Sequence, residues 1–169
     1  MHLCIRKVFN MKIRRATPDD ARGVKSAHYH AYQVNYKGYL PDDYLRNMPF
    51  DESIITRTAN YIKEHEYYVA EKDGHIAGFT CLAYPEKKVV EIEALYVHPD
   101  FQKQGVGTAL MNEVCSLKKT EGYTKLVLWT IKDGPSLGFY QKQGMKESDS
   151  VEKKFWKFDI PIICLEKNL

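Results

Sequence analysis

The chain has 169 residues, the size of one ordinary domain and long enough to bury a core. Its 25 Lys and Arg stand against 22 Asp and Glu, a net charge of +3, and the pairs Lys87-Lys88, Lys118-Lys119 and Lys153-Lys154 lie scattered, so no basic face for nucleic acid is indicated. No run approaches the roughly 18 apolar residues of a membrane span, the opening MHLCIRKVFN lacks the apolar stretch of a signal peptide, and Cys4, Cys81, Cys115 and Cys164 are too far apart for a zinc site, which points to a cytoplasmic protein without a metal or a membrane partner.

Met11 to Arg15 alternates weakly and reads as a first strand, which leaves residues 1–10 as an N-terminal extension or an upstream start. Thr17, Pro18, Asp19 and Asp20 carry the signals of a helix start: a capping hydroxyl, a proline at the first helical position and acids in the first turn. Ala21, Val24, His28 and Ala31 follow at helical spacing, with Tyr29, Tyr32 and Tyr36 on a neighbouring stripe. "KGYLPDDYL" breaks this helix at Gly38 and Pro41, and Asp51 caps a second one.

The period then changes. Tyr67 to Glu71, His75 to Tyr84 and Val89 to Val97 read as a meander of three strands, with Asp73-Gly74 as a tight hairpin turn. A helix runs from about Gly107 to Gly122, and "KLVLWTI" is a buried strand. Pro135 opens a short helix that closes at Gly144, and strands near Met145 to Asp149 and Ile160 to Glu166 end the chain. The pattern predicts a single domain over 1–169, of mixed α+β class, with helices on the faces of one sheet. The crossover from the third meander strand to "KLVLWTI" predicts that these two strands are parallel.

"LYVHPDFQKQGVGTAL", residues 95–110, joins a strand to a helix through a loop with two glycines. The first N–H groups of a helix have no partner within it, and the helix dipole favours negative charge there. Glycine lets a phosphate approach the backbone, so Gln104, Gly105, Val106, Gly107 and Thr108 are placed to offer N–H groups to a pyrophosphate. The loop is neither GxxxxGK[ST] nor GxGxxG.

Val97-x-Pro99-x-x-Gln102-x-x-Gly105-Val106-Gly107 resembles the acetyl-CoA signature of the GNAT superfamily of N-acetyltransferases, a V-x-P strand end followed by [QR]-x-x-G-x-[GA] at a helix start. "GFYQKQGMK", residues 138–146, is similar to the family's F-Y-x-K-x-G-F segment: Phe139, Tyr140, Lys142 and Gly144 match, and Met145 stands where Phe is usual. One helix and one strand separate the two blocks, as in the family. The resemblance implies a GNAT fold with a central mixed, mostly antiparallel twisted sheet of six to seven strands and about four helices. It also implies direct transfer of an acetyl group from acetyl-CoA to a primary amine.

The family's site residues carry over position by position. The turn from Gln102 through Lys103 to Thr108 would hold the pyrophosphate. The main chain of Leu95, Tyr96 and Val97 would lie along the cofactor, and Tyr140 would protonate the leaving sulfur. Where many members have Asn and Ala, seven and four residues before the tyrosine, this chain has Asp133 and Ser136. Both can hydrogen-bond, but an ionised Asp133 is a poor neighbour for a phosphate.

Attack requires a neutral amine, and alkyl amines titrate near 10, so a base is useful. Strand alternation puts Glu91 and Glu93 on one face, shared by Leu95 and Val97, and an acidic residue in this region serves several family members as base through water. Glu93 is the first candidate and Asp133 a second. Tyr29, Tyr32 and Tyr36 would line the acceptor pocket, since aromatic faces suit a cation; packing against the sheet is the other reading of that stripe. A small molecule stands ahead of a protein as acceptor, a homodimer is left open, and a non-catalytic acyl-CoA sensor on the same fold is the alternative function.

Overall fold

The computed structural model describes residues 11–149, 153–155 and 157–169. The proposed extension, residues 1–10, lies outside them.

Strand β1 (Met11–Arg15) runs into a 3-10 turn, Pro18–Asp20, and then helix α1 (Ala21–Asn35). Asp20 holds this corner. Its carboxylate accepts the Thr17 N–H at 2.8 Å and both terminal nitrogens of Arg14 at 2.7 and 2.8 Å. The Arg14 guanidinium keeps the Asp20 carboxyl below its usual range. Helix α2 (Asp42–Arg46) is a single turn where the sequence reads only a break. Pro41 precedes it with an extended backbone, and Asp42 and Asp43 stand in the first turn, where the dipole favours acids. Helix α3 (Glu52–Glu64) begins as expected: the Asp51 carboxylate accepts the Ile54 N–H at 3.1 Å, a cap worth about 1 kcal/mol.

The meander is β2 (Glu66–Lys72), β3 (His75–Glu86) and β4 (Val89–Val97). Asp73 and Gly74 both take positive φ, at 51° and 78°, as a two-residue hairpin turn requires. Helix α4 (Val106–Thr120), strand β5 (Lys125–Ile131) and helix α5 (Leu137–Lys142) follow. The short strands β6 (Lys146–Glu147) and β7 (Lys153–Lys154) both pair with β8 (Pro161–Asn168).

The sheet order is β1-β2-β3-β4-β5-β8-β6, with β7 beside β8. Among the described strands β4 and β5 are the one parallel pair, and the other pairs are antiparallel. The described residues form eight strands and five α-helices, the additions to the sequence reading being β7 and α2. Helix α4 packs on one face through Val106, Leu110, Met111 and Val114, against Val90, Ile92 and Leu128 among others. Helices α1 and α3 cover the other face, where Ala21, Val24, Ala27 and Ile62 meet Val69 and Phe79.

Strand β4 carries a bulge that changes which face its side chains meet. Cys81 pairs with Ala94 and Leu82 with Ile92, so Glu93 is the extra residue. Val90 and Ile92 face α4 before the bulge, Leu95 and Val97 after it, while Ala94 and Tyr96 turn to the α1 side. Glu93 therefore does not share a face with Leu95 and Val97, as strict alternation predicts.

Candidate active site

The parallel register of β4 and β5 ends at Ile92 and Leu128. Beyond it β4 continues for five residues, and the two strands part. His98 donates its N–H to the Ala77 carbonyl at 2.8 Å, so the alternating main-chain groups of Leu95 and Val97 point away from β3, into the gap. The bulge at Glu93 sits where this divergence begins.

A cleft of about 380 Å³ occupies the α4 side of the gap. Leu95 and Val97 line it from the strand. Gln102, Lys103, Gly105, Val106, Gly107 and Thr108 line it from the loop and helix start, and Ser136 and Tyr140 from the far wall. The expected residues Tyr96, Gln104 and Asp133 do not line it. The Tyr96 ring turns to the α1 side, into a cluster with His28, Tyr32 and Phe79. Gln104 is exposed, and its amide is held by Lys72 and the Asp100 carbonyl. Asp133 sits on an exposed turn at φ 57°, and its carbonyl accepts the Tyr39 hydroxyl at 3.3 Å.

The two glycines do different work. Gly105 takes φ 82° as the N-cap of α4, and a Cβ there would meet nothing within 4 Å. This is the open approach to the unpaired N–H groups of the helix start. Gly107 is bare for another reason: a Cβ on it would lie 3.1 Å from the Phe139 ring. Open space for a phosphate thus lies beside Gly105, while the space beside Gly107 is filled by Phe139.

The side chains of the loop brace it. The Gln102 amide donates to the Val97 carbonyl at 3.1 Å, which ties loop to strand. Thr108 accepts from the Gln143 amide at 3.1 Å, which ties α4 to the end of α5.

A second cleft, of about 340 Å³, adjoins the first on the α1 side. Asn35, Leu95, Ser136 and Tyr140 line both. Glu91 and Glu93 form its floor, and Tyr36, Tyr96, Trp129 and Phe155 its aromatic walls. Burial, and then the neighbouring Glu93, push the Glu91 carboxyl above its ordinary pKa, against a smaller opposing pull from Lys153. Tyr140 is 8% exposed at the junction of the two clefts, and its hydroxyl has no hydrogen-bond partner among the described residues. Burial pushes its pKa well up, so the proton is retained at neutral pH.

The tyrosine stripe divides. Tyr36 lines the second cleft, and its hydroxyl is 3.3 Å from that of Tyr96. Tyr32 is core, packed with Leu40 and Leu45. Tyr29 stacks on Phe50 at 5.3 Å, away from both clefts. Asn35 and Trp129 were not singled out by sequence reasoning. Asn35 carries a legible signal, seven residues beyond His28 on the helix face that meets the sheet. Trp129 stands at the point where β5 has lost its parallel partner, which no residue type announces.

A model of the acetyltransferase (GNAT) family matches residues 27–145. An uncharacterized N-acetyltransferase of Bacillus subtilis, YuaI, is 24% identical over 133 residues, 76% of each chain. A probable N-acetyltransferase of Mycobacterium tuberculosis is 28% identical over 146 residues, 81% of this chain and 80% of its own. The crystal structure of PaiA N-acetyltransferase from Thermoplasma acidophilum, solved in complex with coenzyme A, superposes with a TM-score of 0.75. It covers 95% of this chain and 99% of its own at 20% identity, a likeness of fold.

Proposed function

Because the chain belongs to the GNAT acetyltransferase family, we propose that it is a cytosolic enzyme moving an acetyl group from acetyl-CoA directly to a primary amine. The observation that carries this reading is the junction of two clefts at Tyr140, one running to the open turn at Gly105 and the other floored by carboxylates. The residues fit the cofactor: a helix start with unpaired N–H groups, a left-handed glycine that leaves room for a phosphate, and main-chain N–H groups of Leu95 and Val97 that point into the gap for an extended chain.

Acetyl-CoA supplies the activated acyl group. The N–H groups of Val106, Gly107 and Thr108 would bind the pyrophosphate, and those of Leu95 and Val97 would hold the pantetheine arm and the thioester oxygen. Glu93, through water, takes a proton from the incoming ammonium. The Tyr140 hydroxyl donates its proton toward the departing sulfur. Asp133, exposed and lining neither cleft, is poorly placed for the base role it was a candidate for.

The test is release of free CoA thiol from acetyl-CoA, dependent on an added amine, alongside calorimetric binding of acetyl-CoA. Amine-dependent release supports the enzyme. Binding without release to any amine in a broad panel would leave the acyl-CoA sensor instead.

A further inference from the structure

The floor of the second cleft holds two carboxylates where an acceptor with one amine needs one. Glu91 and Glu93 both line it, and neither forms an ion pair among the described residues. Among the described residues the one side-chain hydrogen bond to Glu93 is a long one from the Cys81 thiol, at 3.7 Å. Two lysines line the rim, and Lys153 pulls on Glu91 without pairing with it. Lys154 pairs with Asp159, and the Lys153 ammonium sits 4.1 Å from the centre of the Trp129 ring. Glu91 is half-buried and Glu93 exposed; their carboxylates repel each other, and a cation supplied from outside adds to the pull of Lys153.

Their placement has a direction. Tyr140 and Leu95 mark the end of the cleft that opens to the cofactor side. Glu93 is two residues from Leu95 along β4, and Glu91 two residues farther. Two strand residues advance about 6–7 Å, roughly the reach of a four- or five-carbon chain. The walls between these points are Tyr36, Tyr96 and Trp129, whose faces attract ammonium groups and cover methylenes. Tyr140, 8% exposed and without a hydrogen-bond partner among the described residues, lines the inner end with a hydroxyl open to a ligand.

Resting on the acetyltransferase reading above, we propose that the acceptor is an aliphatic diammonium compound, with its reacting amine near Glu93 and its second ammonium held by Glu91. The second charge is the specificity element: it fills a carboxylate that a monoamine leaves unpaired, and an acceptor with a carboxylate at that end meets Glu91 as a like charge.

Three acceptors of four carbons each test this: 1,4-diaminobutane, n-butylamine and 4-aminobutanoate, each assayed by release of CoA thiol. The diamine should exceed the monoamine in kcat/KM by about 10-fold or more, mainly through KM, and the carboxylate compound should be poorest. Glu91→Gln should collapse the ratio of diamine to monoamine toward one. Equal rates with diamine and monoamine, a preference for 4-aminobutanoate, or a diamine preference that survives Glu91→Gln would each overturn the proposal. Acetyl-CoA binding with no turnover of any of the three also overturns it, while failure to bind acetyl-CoA overturns the enzyme reading beneath it. Circular dichroism of Glu91→Gln separates a lost anchor from a lost fold.

Discussion

The Phe139 ring fills the space that a side chain on Gly107 would occupy: a Cβ there would stand 3.1 Å from its Cζ and 3.3 Å from its Cε2. The two residues belong to the two sequence blocks that resemble the family, so one block is in part the packing partner of the other. Gly107→Ala should therefore destabilise the fold. Overpacking of this kind costs about 1–3 kcal/mol, and the better helix propensity of Ala returns at most about 1. A net loss of roughly 1 kcal/mol should appear in urea unfolding, and Phe139→Leu in the same chain should recover most of it. An unchanged midpoint in the single variant would mean that the ring moves aside freely.

Gly105 answers to a different constraint. Nothing lies within 4 Å of its missing Cβ, but φ is 82°. Gly105→Asp adds backbone strain, and it sets a negative charge where the phosphates should lie. Acetyl-CoA affinity should fall by about 2 kcal/mol or more, a factor above roughly 30. Calorimetry on the folded variant decides it, and unchanged affinity would remove the pyrophosphate from this turn.

Much of this was legible. The strand, loop and helix around Gly105 are fixed by local signals: Pro99 ends the strand, glycines bare the loop, and the helical pattern read from about Gly107 starts within a residue of the observed Val106. The bulge was not. Alternation read from sequence assumes strict period two, and Glu93 is an inserted residue that only the pairing of Cys81 with Ala94 reveals. The tyrosine stripe misled for a related reason. Tyr29 and Tyr36 share a helix face but lie about 10 Å apart along the axis. What covers each end of α1, Phe50 at one and the cleft at the other, is set by distant segments. Helix α2 escaped because Gly38 and Pro41 mark a break without saying that a new turn starts.

Tyr140→Phe keeps the ring and loses the proton. Turnover should drop by roughly 10- to 10⁴-fold while acetyl-CoA binding changes little, because the hydroxyl has no partner to lose among the described residues. Single-turnover kinetics with a monoamine reads the step directly. Full turnover in the variant would assign the proton to water.

His28 makes stability depend on acid. Burial among Tyr32, Phe79 and Tyr96 pushes its pKa down to about 3 from an ordinary 6.5. Between those values the unfolded chain holds a proton that the folded chain does not. Stability is thus complete above about pH 6.5 and is lost as pH falls. Acidifying from pH 7 to 5 should remove about 2 kcal/mol. His28→Phe, which keeps a ring in the cluster, should flatten that part of the profile in denaturant titrations. Equal slopes in the two proteins would show that the imidazole is solvated.

Glu93 carries the base assignment, and the bulge changes how it must be tested. The carboxylate sits on the α1 face with Glu91, so its proton path runs through the acceptor cleft rather than along the Leu95 face. With n-butylamine as acceptor, Glu93→Gln should lower kcat by about 10²-fold at neutral pH. The loss should shrink as pH rises toward the amine's own pKa near 10, where the neutral form is supplied by solution. Glu91→Gln should cost less with this acceptor, because it lies two residues farther from Leu95. A loss at Glu93 that stays constant with pH would mean that the carboxylate only attracts the cation. Equal pH-dependent losses at both positions would make the pair, titrating together, the base.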